Sequence, residues 1–146
     1  MSYTKVYIHF VWSTKNREPF LDSPELRKRV WSHIKENARE KEIFIDTING
    51  YQDHCHALIS LGPEQNMHKI MQLLKGESSY WINRNKLSKN KFAWQDGYFA
   101  VSVSESMVDK VQEYIKNQEE HHKEIPFQKE YNQFIEKFGF QKGRND

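Results

Sequence analysis

Apolar and polar residues alternate in four short segments of the chain, and this period of two predicts four β-strands. In the first segment, every second residue from Val6 to Trp12 is apolar. The second segment is rich in β-branched residues, which favour strands. The third begins at His54, directly after the turn sequence GYQD. The four segments are residues 3–13, 43–49, 54–61 and 98–104.

Between the strands, apolar residues recur every three or four positions, which predicts helices. The first helix is predicted to begin at Pro24, with Asp22 or Ser23 as its N-terminal cap. The second is predicted to begin near Asn66 and to end near Asn83. The residues predicted to line its inward face are Met67, Ile70, Met71 and Leu74.

Two further helices are predicted in the C-terminal third of the chain. One covers about 106–122, with Ser104 or Ser106 as its cap. A short tail helix follows from Phe127 and is ended by Gly139. The residues predicted to face inward on the longer helix are Val108, Val111 and Ile115.

The predicted order of elements is β-α-β-β-α-β-α-α, and the first six have the split β-α-β pattern of ferredoxin-like domains. We therefore predict an α+β fold, a ferredoxin-like or RRM-like sandwich in which an antiparallel sheet carries helices on one face. The other face would be free for a ligand or a partner. The length suits one domain over residues 1–146, with C-terminal helices over about 106–140.

Composition and charge narrow the class of protein. The net charge is only +2, so a surface that binds nucleic acid has to be local. One cysteine excludes an internal disulfide, and a cytoplasmic location is expected. We expect neither a signal peptide nor a membrane span, because the chain lacks long apolar runs.

His54 and His56 are the first candidates for chemistry. Residues two apart on a strand lie on the same face, with Cα atoms about 6.6 Å apart, so both imidazoles can bind one divalent cation. Cys55 points to the opposite, apolar face and is interpreted as a small core residue. The alternative is that the two histidines lie on the surface and bind nothing.

Tyr114 and Gln118 lie four residues apart on the predicted third helix and therefore on one helical face. A phenol has a pKa of about 10 and is a poor nucleophile at neutral pH. A cation that neutralises the charge of a phosphate lowers this barrier, and Gln118 can offer it an amide oxygen. His121 or His122 is a spare ligand. The alternative for Tyr114 is a half-buried tyrosine that packs beside the apolar stripe of its helix.

The segment from Lys69 to Lys91 carries a local excess of cations, interleaved with aromatic residues. Cations bind phosphates and rings stack on bases, so this composition favours single-stranded nucleic acid. The alternative is a solvated loop over core aromatics. The candidate DNA-binding residues are Lys75, Arg84 and Lys86 in this segment, His9 on the first strand, and Lys15 and Arg17 in the loop after it.

Taken together, these motifs resemble a known family. The His-x-His pair is followed by LLKGESSYWIN at 73–83, by WQDGYFAVSVS at 94–104 and by a helix with Tyr-x-x-x-Gln. This combination is similar to the IS200/IS605-type transposases, which are single-tyrosine members of the HUH nuclease superfamily. The opening YIHFVWSTKNREPFL at 7–21 and the tail at 127–140 fit the same family, so the resemblance covers almost the whole chain.

The resemblance implies a metal-dependent DNA transposase that nicks and rejoins single-stranded DNA carrying small hairpins. His54, His56 and Gln118 would bind Mg²⁺ or Mn²⁺, and Tyr114 would form a covalent 5′-phosphotyrosine and release a 3′-hydroxyl. Family members are homodimers in which the tyrosine helix of one chain typically completes the site of the other. Two imidazoles by themselves favour zinc or manganese, so the expectation of Mg²⁺ or Mn²⁺ comes from the family.

Two other functions stay open from the sequence. A domesticated relative would recognise DNA hairpins without cutting them. A different metal hydrolase would share only the His-x-His strand and would add carboxylates, for which Asp46 and Asp53 are the nearest candidates. One residue departs from the family pattern, because Cys55 stands where a bulky aliphatic residue is usual. Since its side chain is predicted to face the core, the change affects packing rather than ligation.

Overall fold

The computed structural model describes residues 1–138, which form four strands and five helices. The strands are β1 (Val6–Ser13), β2 (Phe44–Tyr51), β3 (His54–Leu61) and β4 (Phe99–Val103). The helices are α1 (Pro24–Glu40), α2 (Met67–Arg84), α3 (Val108–Lys116), α4 (Gln118–Glu124) and α5 (Phe127–Phe138). Short 3-10 turns at Lys15–Arg17 and Glu105–Met107 lie in the connections.

The four strands make one antiparallel sheet in the order β2-β3-β1-β4. The alternating side chains of β1, Ile8, Phe10 and Trp12, are buried in the main core between the sheet and helices α1 and α2. This confirms the predicted α+β fold with an antiparallel sheet. Among the described residues, no helix is both long enough and apolar enough to cross a bilayer.

Local caps explain where the first two helices begin. The Ser23 hydroxyl accepts the backbone N–H of Leu26 at 3.1 Å, and Pro24 occupies the first turn of α1. The Asn66 side chain accepts the backbone N–H of Lys69 at 2.8 Å at the start of α2. Each cap satisfies a backbone donor that has no partner inside the helix, so both starting points agree with the sequence.

The second face of the sheet is covered by the C-terminal helices, whereas the sequence predicted a free face. Leu58 of β3 packs against Val108 and Ile115 of α3. Val11 of β1 packs against Phe127 of α5. These contacts bury the apolar stripe of α3, which requires an apolar partner. The face of the sheet that was predicted to be open to a ligand is therefore covered by α3 and α5.

The helix predicted over about 106–122 is divided into α3 and α4. Its first turn, Glu105–Met107, is a 3-10 helix, and the helical angles are interrupted at Asn117, with φ −94° and ψ 17°. One smaller prediction is wrong, and another is untested. Met67 is 41% exposed rather than inward, because it opens α2. The predicted stop at Gly139 lies outside the described residues.

Gly50, in the β2–β3 hairpin, has no room for a side chain. A Cβ there would lie 2.2 Å from the His54 carbonyl oxygen and 2.9 Å from a ring carbon of Trp31. We expect Gly50→Ala to lower the free energy of unfolding by about 1–3 kcal/mol, because the backbone of β3 has to shift.

Gly76 of α2 has no atom within 4 Å of such a Cβ, so Gly76→Ala is expected to raise the free energy of unfolding by roughly 0.5–1 kcal/mol. Urea denaturation measures both, and a stable Gly50→Ala protein would contradict the close contact.

Candidate active site

Strand β3 places His54 and His56 side by side on the second face of the sheet, where their cross-strand neighbours on β1 are Ser13 and Val11. Cys55 points the other way, into the main core, as predicted. Neither imidazole has exposed surface. The sequence had suggested that both lie on the open face of the sheet. The ring of His54 stacks on Phe127 of α5 at 4.0 Å between centroids, so α5 is part of what buries the pair.

The tautomer of His54 is set by Asp53. Nδ1 of His54 lies 2.9 Å from the Asp53 carboxylate, which can only accept, so Nδ1 carries the proton. Nε2 then presents a lone pair, and it lies 3.0 Å from Oε1 of Gln118. A carboxylate that orients a histidine in this way is typical of metal ligands. Asp46, the other acid considered from the sequence, instead accepts hydrogen bonds from Thr47 and Gln112.

His9 lies behind His56 rather than on an open surface. Its Nε2 is 2.8 Å from Nδ1 of His56, and only 6% of the residue is exposed. Burial, together with the neighbouring His56, lowers the pKa of His9 to about 3. Burial also lowers the pKa of His56 to about 4, although Glu130 opposes that shift. Both rings are therefore neutral near pH 7, which is the state in which an imidazole binds a metal ion.

Tyr114 and Gln118 reach the histidines from the adjoining ends of α3 and α4. The Gln118 amide N–H donates to the Tyr114 carbonyl at 3.3 Å, which turns Oε1 toward His54. The Tyr114 hydroxyl donates to the carboxylate of Glu130. Burial raises the pKa of the Tyr114 phenol, and the Glu130 charge raises it further. The phenol is thus protonated in this arrangement and lies beside the histidine pair.

Glu130 of α5 is the residue that sequence reasoning missed. Its carboxylate lies 3.1 Å from Nε2 of His56 and 3.6 Å from Nε2 of His54, and the residue is 2% exposed. Burial alone would raise the pKa of this carboxyl, but His122 and His56 hold it well below its usual range. A signal was present, because Glu130 interrupts the otherwise apolar face that Phe127 and Tyr131 share.

The two spare ligands named from the sequence also reach Glu130. Nε2 of His121 lies 3.2 Å from Oε2 of Glu130, and Nε2 of His122 lies 3.4 Å from the same oxygen. His122 is buried, whereas a quarter of the His121 side chain is exposed. Nδ1 of His122 bonds to the carbonyl oxygen of Ile125, so this nitrogen carries the proton and Nε2 is the free side of the ring.

A buried group of imidazole and carboxylate atoms could hold a metal ion at this point. Each member offers one ligand atom, and all of these atoms lie within 4.8 Å of one another. Neutral imidazoles and an ionised carboxylate are ordinary ligands of divalent metals. The members of the group are His54, His56, His122 and Glu130.

The basic residues proposed from the sequence lie outside this group. Lys75 donates to the carbonyl oxygens of Gln95 at 2.7 Å and of Gly97 at 3.0 Å, so it ties α2 to the loop before β4. Arg17 lies over the ring of Tyr131, 4.6 Å from its centroid. The exposed members of the set are Arg84, Lys86 and Lys15.

The aromatic residues of the basic segment mostly belong to the core. Phe92 has no exposed surface, and Trp94 is 7% exposed, with its indole N–H donating to Ser78 at 2.8 Å. Trp81 stacks on the ring of His33 at 3.8 Å. Tyr80, by contrast, is 66% exposed. Of these four rings, Tyr80 is therefore the one whose face is open to an incoming base.

Two solved structures share the fold of this chain. A Deinococcus radiodurans R1 protein, solved as a candidate transposase, superposes with a TM-score of 0.65 at 23% identity, over 80% of this chain and 93% of that one. A REP-associated tyrosine transposase bound to a REP hairpin superposes with a TM-score of 0.62 at 15% identity, over 84% of this chain and 72% of that one. At these identities the likeness concerns the fold.

Sequence comparison extends the likeness to the family. The ISDra2 transposase TnpA of Deinococcus radiodurans is 26% identical over 115 residues, which cover 75% of this chain and 81% of that protein. A family model described as "Transposase IS200 like" matches residues 2–118. The match includes His54, His56, Tyr114 and Gln118, and it ends before the rest of α4 and α5. Because the matched segment makes up most of the 146 residues, this protein belongs to the IS200-like transposase family and is a DNA-processing enzyme.

Proposed function

We propose that this transposase cleaves and rejoins hairpin-bearing single-stranded DNA, with Tyr114 as the nucleophile. One observation carries the proposal: the hydroxyl of Tyr114 and Nε2 of His54 and His56 all contact or approach the same carboxylate, that of Glu130. A phosphate group that took the place of this carboxylate would meet both the nucleophile and the candidate metal ligands. This juxtaposition is what a phosphotyrosine mechanism requires.

In the proposed reaction, the Tyr114 hydroxyl oxygen attacks the phosphorus of one phosphodiester. The phenol gives up its proton to solvent as the new O–P bond forms, and the bond to the 3′ oxygen breaks. The 3′ oxygen takes up one proton and leaves as a hydroxyl. The product is a 5′-phosphotyrosine. Attack by a different 3′-hydroxyl reverses the step and joins two strands, so no external energy source is needed. Covalent catalysis of this kind replaces one difficult step with two easier ones.

His54, His56 and Gln118 are the proposed ligands of a divalent cation, Mg²⁺ or Mn²⁺. The lone pair of His54 Nε2 faces the amide oxygen of Gln118, and two such acceptors lie 3.0 Å apart without a proton between them. A cation between the two acceptors removes their repulsion, so these residues are suited to bind a divalent cation. When bound, the cation neutralises negative charge on the non-bridging phosphate oxygens. With a cation on Nε2 of His56, Nδ1 of His56 would carry the proton and donate it to Nε2 of His9, 2.8 Å away, which would orient the ring.

A cleft of about 300 Å³ gives a path to the nucleophile. Its lining includes His9, Tyr114 and Glu130 at the inner end, and the cations Lys110 and Lys137. These ammonium groups suit a polyanion, because phosphate contacts supply much of the affinity for nucleic acid. In this proposal the DNA enters here, and α5 shifts so that the phosphate replaces the Glu130 carboxylate.

The remaining DNA contacts are proposed for cations outside the cleft. Arg84, Lys86 and Lys15 are exposed and available to phosphates, whereas Lys75 and Arg17 would contribute mainly by holding loops in place. A hairpin as the target is supported by the structural relative that is bound to a REP hairpin. A homodimer is proposed from the family resemblance. Within one chain, Tyr114 already lies beside His56, with ring centroids 5.6 Å apart.

The test is a covalent adduct. The protein is mixed with a hairpin-bearing single strand labelled at its 3′ end, which stays on the segment that becomes joined to the protein, in the presence of Mg²⁺ or Mn²⁺, and is then denatured. We expect a protein–DNA band that survives denaturation and that a chelator prevents. Hairpin binding without cleavage, with either ion, would instead favour the non-catalytic hairpin-binding protein. One observation favours that alternative: the Glu130 carboxylate accepts the Tyr114 hydroxyl and so occupies the position that the phosphate would take.

A further inference from the structure

We infer that α4 and α5 complete the cation site, with His122 and Glu130 joining His54 and His56 as ligands of a first-row transition-metal ion. The inference rests on the proposed function for the histidine pair. It adds two ligands that lie beyond residues 2–118, the part of the chain that matches the family. It also predicts a resting state in which the chain itself supplies the carboxylate that DNA would replace with a phosphate.

The first argument is that two of the imidazole nitrogens that face Glu130 are acceptors without protons. His54 and His122 both hold their proton on Nδ1, His54 toward Asp53 and His122 toward the Ile125 carbonyl. Their Nε2 atoms therefore present lone pairs, and both face the carboxylate of Glu130. Nε2 of His122 is buried without a hydrogen-bond partner. Lone pairs and a carboxylate directed at one point repel one another unless a cation lies among them.

The second argument is the spacing of the atoms. Four ligands at about 2.1 Å from a tetrahedral ion lie roughly 3.4 Å from one another. Oε1 of Glu130 lies 3.6 Å from Nε2 of His54 and 3.1 Å from Nε2 of His56, and Oε2 lies 3.4 Å from Nε2 of His122. The carboxylate is therefore at about the separation from three imidazoles that joint ligation of one ion demands. The ligand atoms of all four residues lie within 4.8 Å of one another, so the side chains draw together when they bind the ion.

The third argument concerns the kind of ion. Three imidazoles and one carboxylate suit Mn²⁺, Zn²⁺ and related ions, whereas Mg²⁺ prefers oxygen ligands and keeps several waters. All four residues are buried, with exposures of 0% for His54 and His56, 2% for Glu130 and 8% for His122. A site closed in this way leaves little space for a hydrated ion. The closed site without DNA is therefore selective for a transition metal over Mg²⁺, whereas the DNA-bound site of the proposed function, in which Gln118 is a ligand, takes Mg²⁺ or Mn²⁺.

The experiment measures Mn²⁺ binding to the full-length protein without DNA, from the free-ion signal in electron paramagnetic resonance and by calorimetry. Glu130→Gln keeps the size of the side chain and removes the charged ligand. His122→Asn keeps a donor for the Ile125 carbonyl and removes Nε2. We expect each to weaken Mn²⁺ binding at least about tenfold, and we expect excess Mg²⁺ not to displace Mn²⁺ from the wild type.

Glu136→Gln is the matched control, because Glu136 is an exposed carboxylate on the same helix. It should bind Mn²⁺ as the wild type does. Thermal unfolding without metal shows that each variant is folded, and a Mn²⁺-induced rise in Tm gives a second measure of binding.

Two outcomes would overturn the inference. If Glu130→Gln binds Mn²⁺ as tightly as the wild type while His56→Ala does not, Glu130 is not a ligand and only accepts a hydrogen bond from a histidine N–H, and the proposed function stands. If the wild type binds no Mn²⁺ without DNA, the four residues do not form a metal site in the resting state. The covalent-adduct assay with Mg²⁺ tests the proposed transposase mechanism separately.

Discussion

Tyr114→Phe is expected to abolish the covalent protein–DNA adduct while hairpin binding is retained. The substitution removes only the hydroxyl oxygen that would form the bond to phosphorus, and it keeps the ring that packs beside His9 and His56. Loss of the nucleophile in an enzyme that works through a covalent intermediate costs on the order of 10⁶-fold in rate. The measurement is the denaturation-resistant band, together with a gel-shift assay for binding.

Tyr3→Phe is the matched control for Tyr114→Phe. Tyr3 is 89% exposed and lies before β1, outside the site, so its loss of a hydroxyl should leave the adduct unchanged. If Tyr114→Phe still nicks the strand and leaves no protein attached, then water is the nucleophile. The chain would in that case be a metal-dependent hydrolase, and the role proposed for Tyr114 would be wrong.

His56→Ala is expected to lower both Mn²⁺ affinity and cleavage, with a fall in cleavage rate on the order of 10³-fold. This estimate corresponds to about 4 kcal/mol of lost charge stabilisation, the scale expected of a catalytic cation. The substitution removes the imidazole that approaches Glu130 at 3.1 Å and also removes the hydrogen bond between His56 and His9. Single-turnover cleavage and Mn²⁺ calorimetry measure the two losses separately.

His68→Ala controls for the removal of an imidazole, because His68 is exposed near the start of α2. It should keep both the metal affinity and the cleavage rate. Because His56 is fully buried, the variant is also checked by thermal unfolding. A folded His56→Ala protein that cleaves at the wild-type rate would remove His56 from the site.

The elements that depend on local periodicity were predictable. The third strand begins at His54 and ends at Leu61 in both the sequence reading and the structure, because alternation of apolar residues over eight positions has one interpretation. The start of α1 at Pro24 was also predicted, although the sequence left Asp22 and Ser23 open as its cap and the structure shows Ser23. Elements that are specified by a repeating pattern of neighbouring residues, or by a local cap, could therefore be predicted from the sequence alone.

The enclosure of the site was not predictable in this way. The sequence predicted a free second face, but the apolar residues on that face, such as Val11 and Leu58, pack against α5 and α3. The interruption at Asn117 also mattered, because it changes the direction of the chain before α4. The basic segment was overinterpreted for a related reason, since Phe92 and Trp94 turn into the core.

The sequence by itself determined the α+β fold, the shared face of His54 and His56, and the spacing of Tyr114 and Gln118, because each follows from the period of one strand or helix. Only the tertiary structure decided that Glu130 lies 3.1 Å from Nε2 of His56. These residues are 74 positions apart, and their contact depends on how α5 turns back over the sheet. Side chains brought together by long-range packing leave no periodic trace in the sequence, so their joint chemistry appears only in the folded chain.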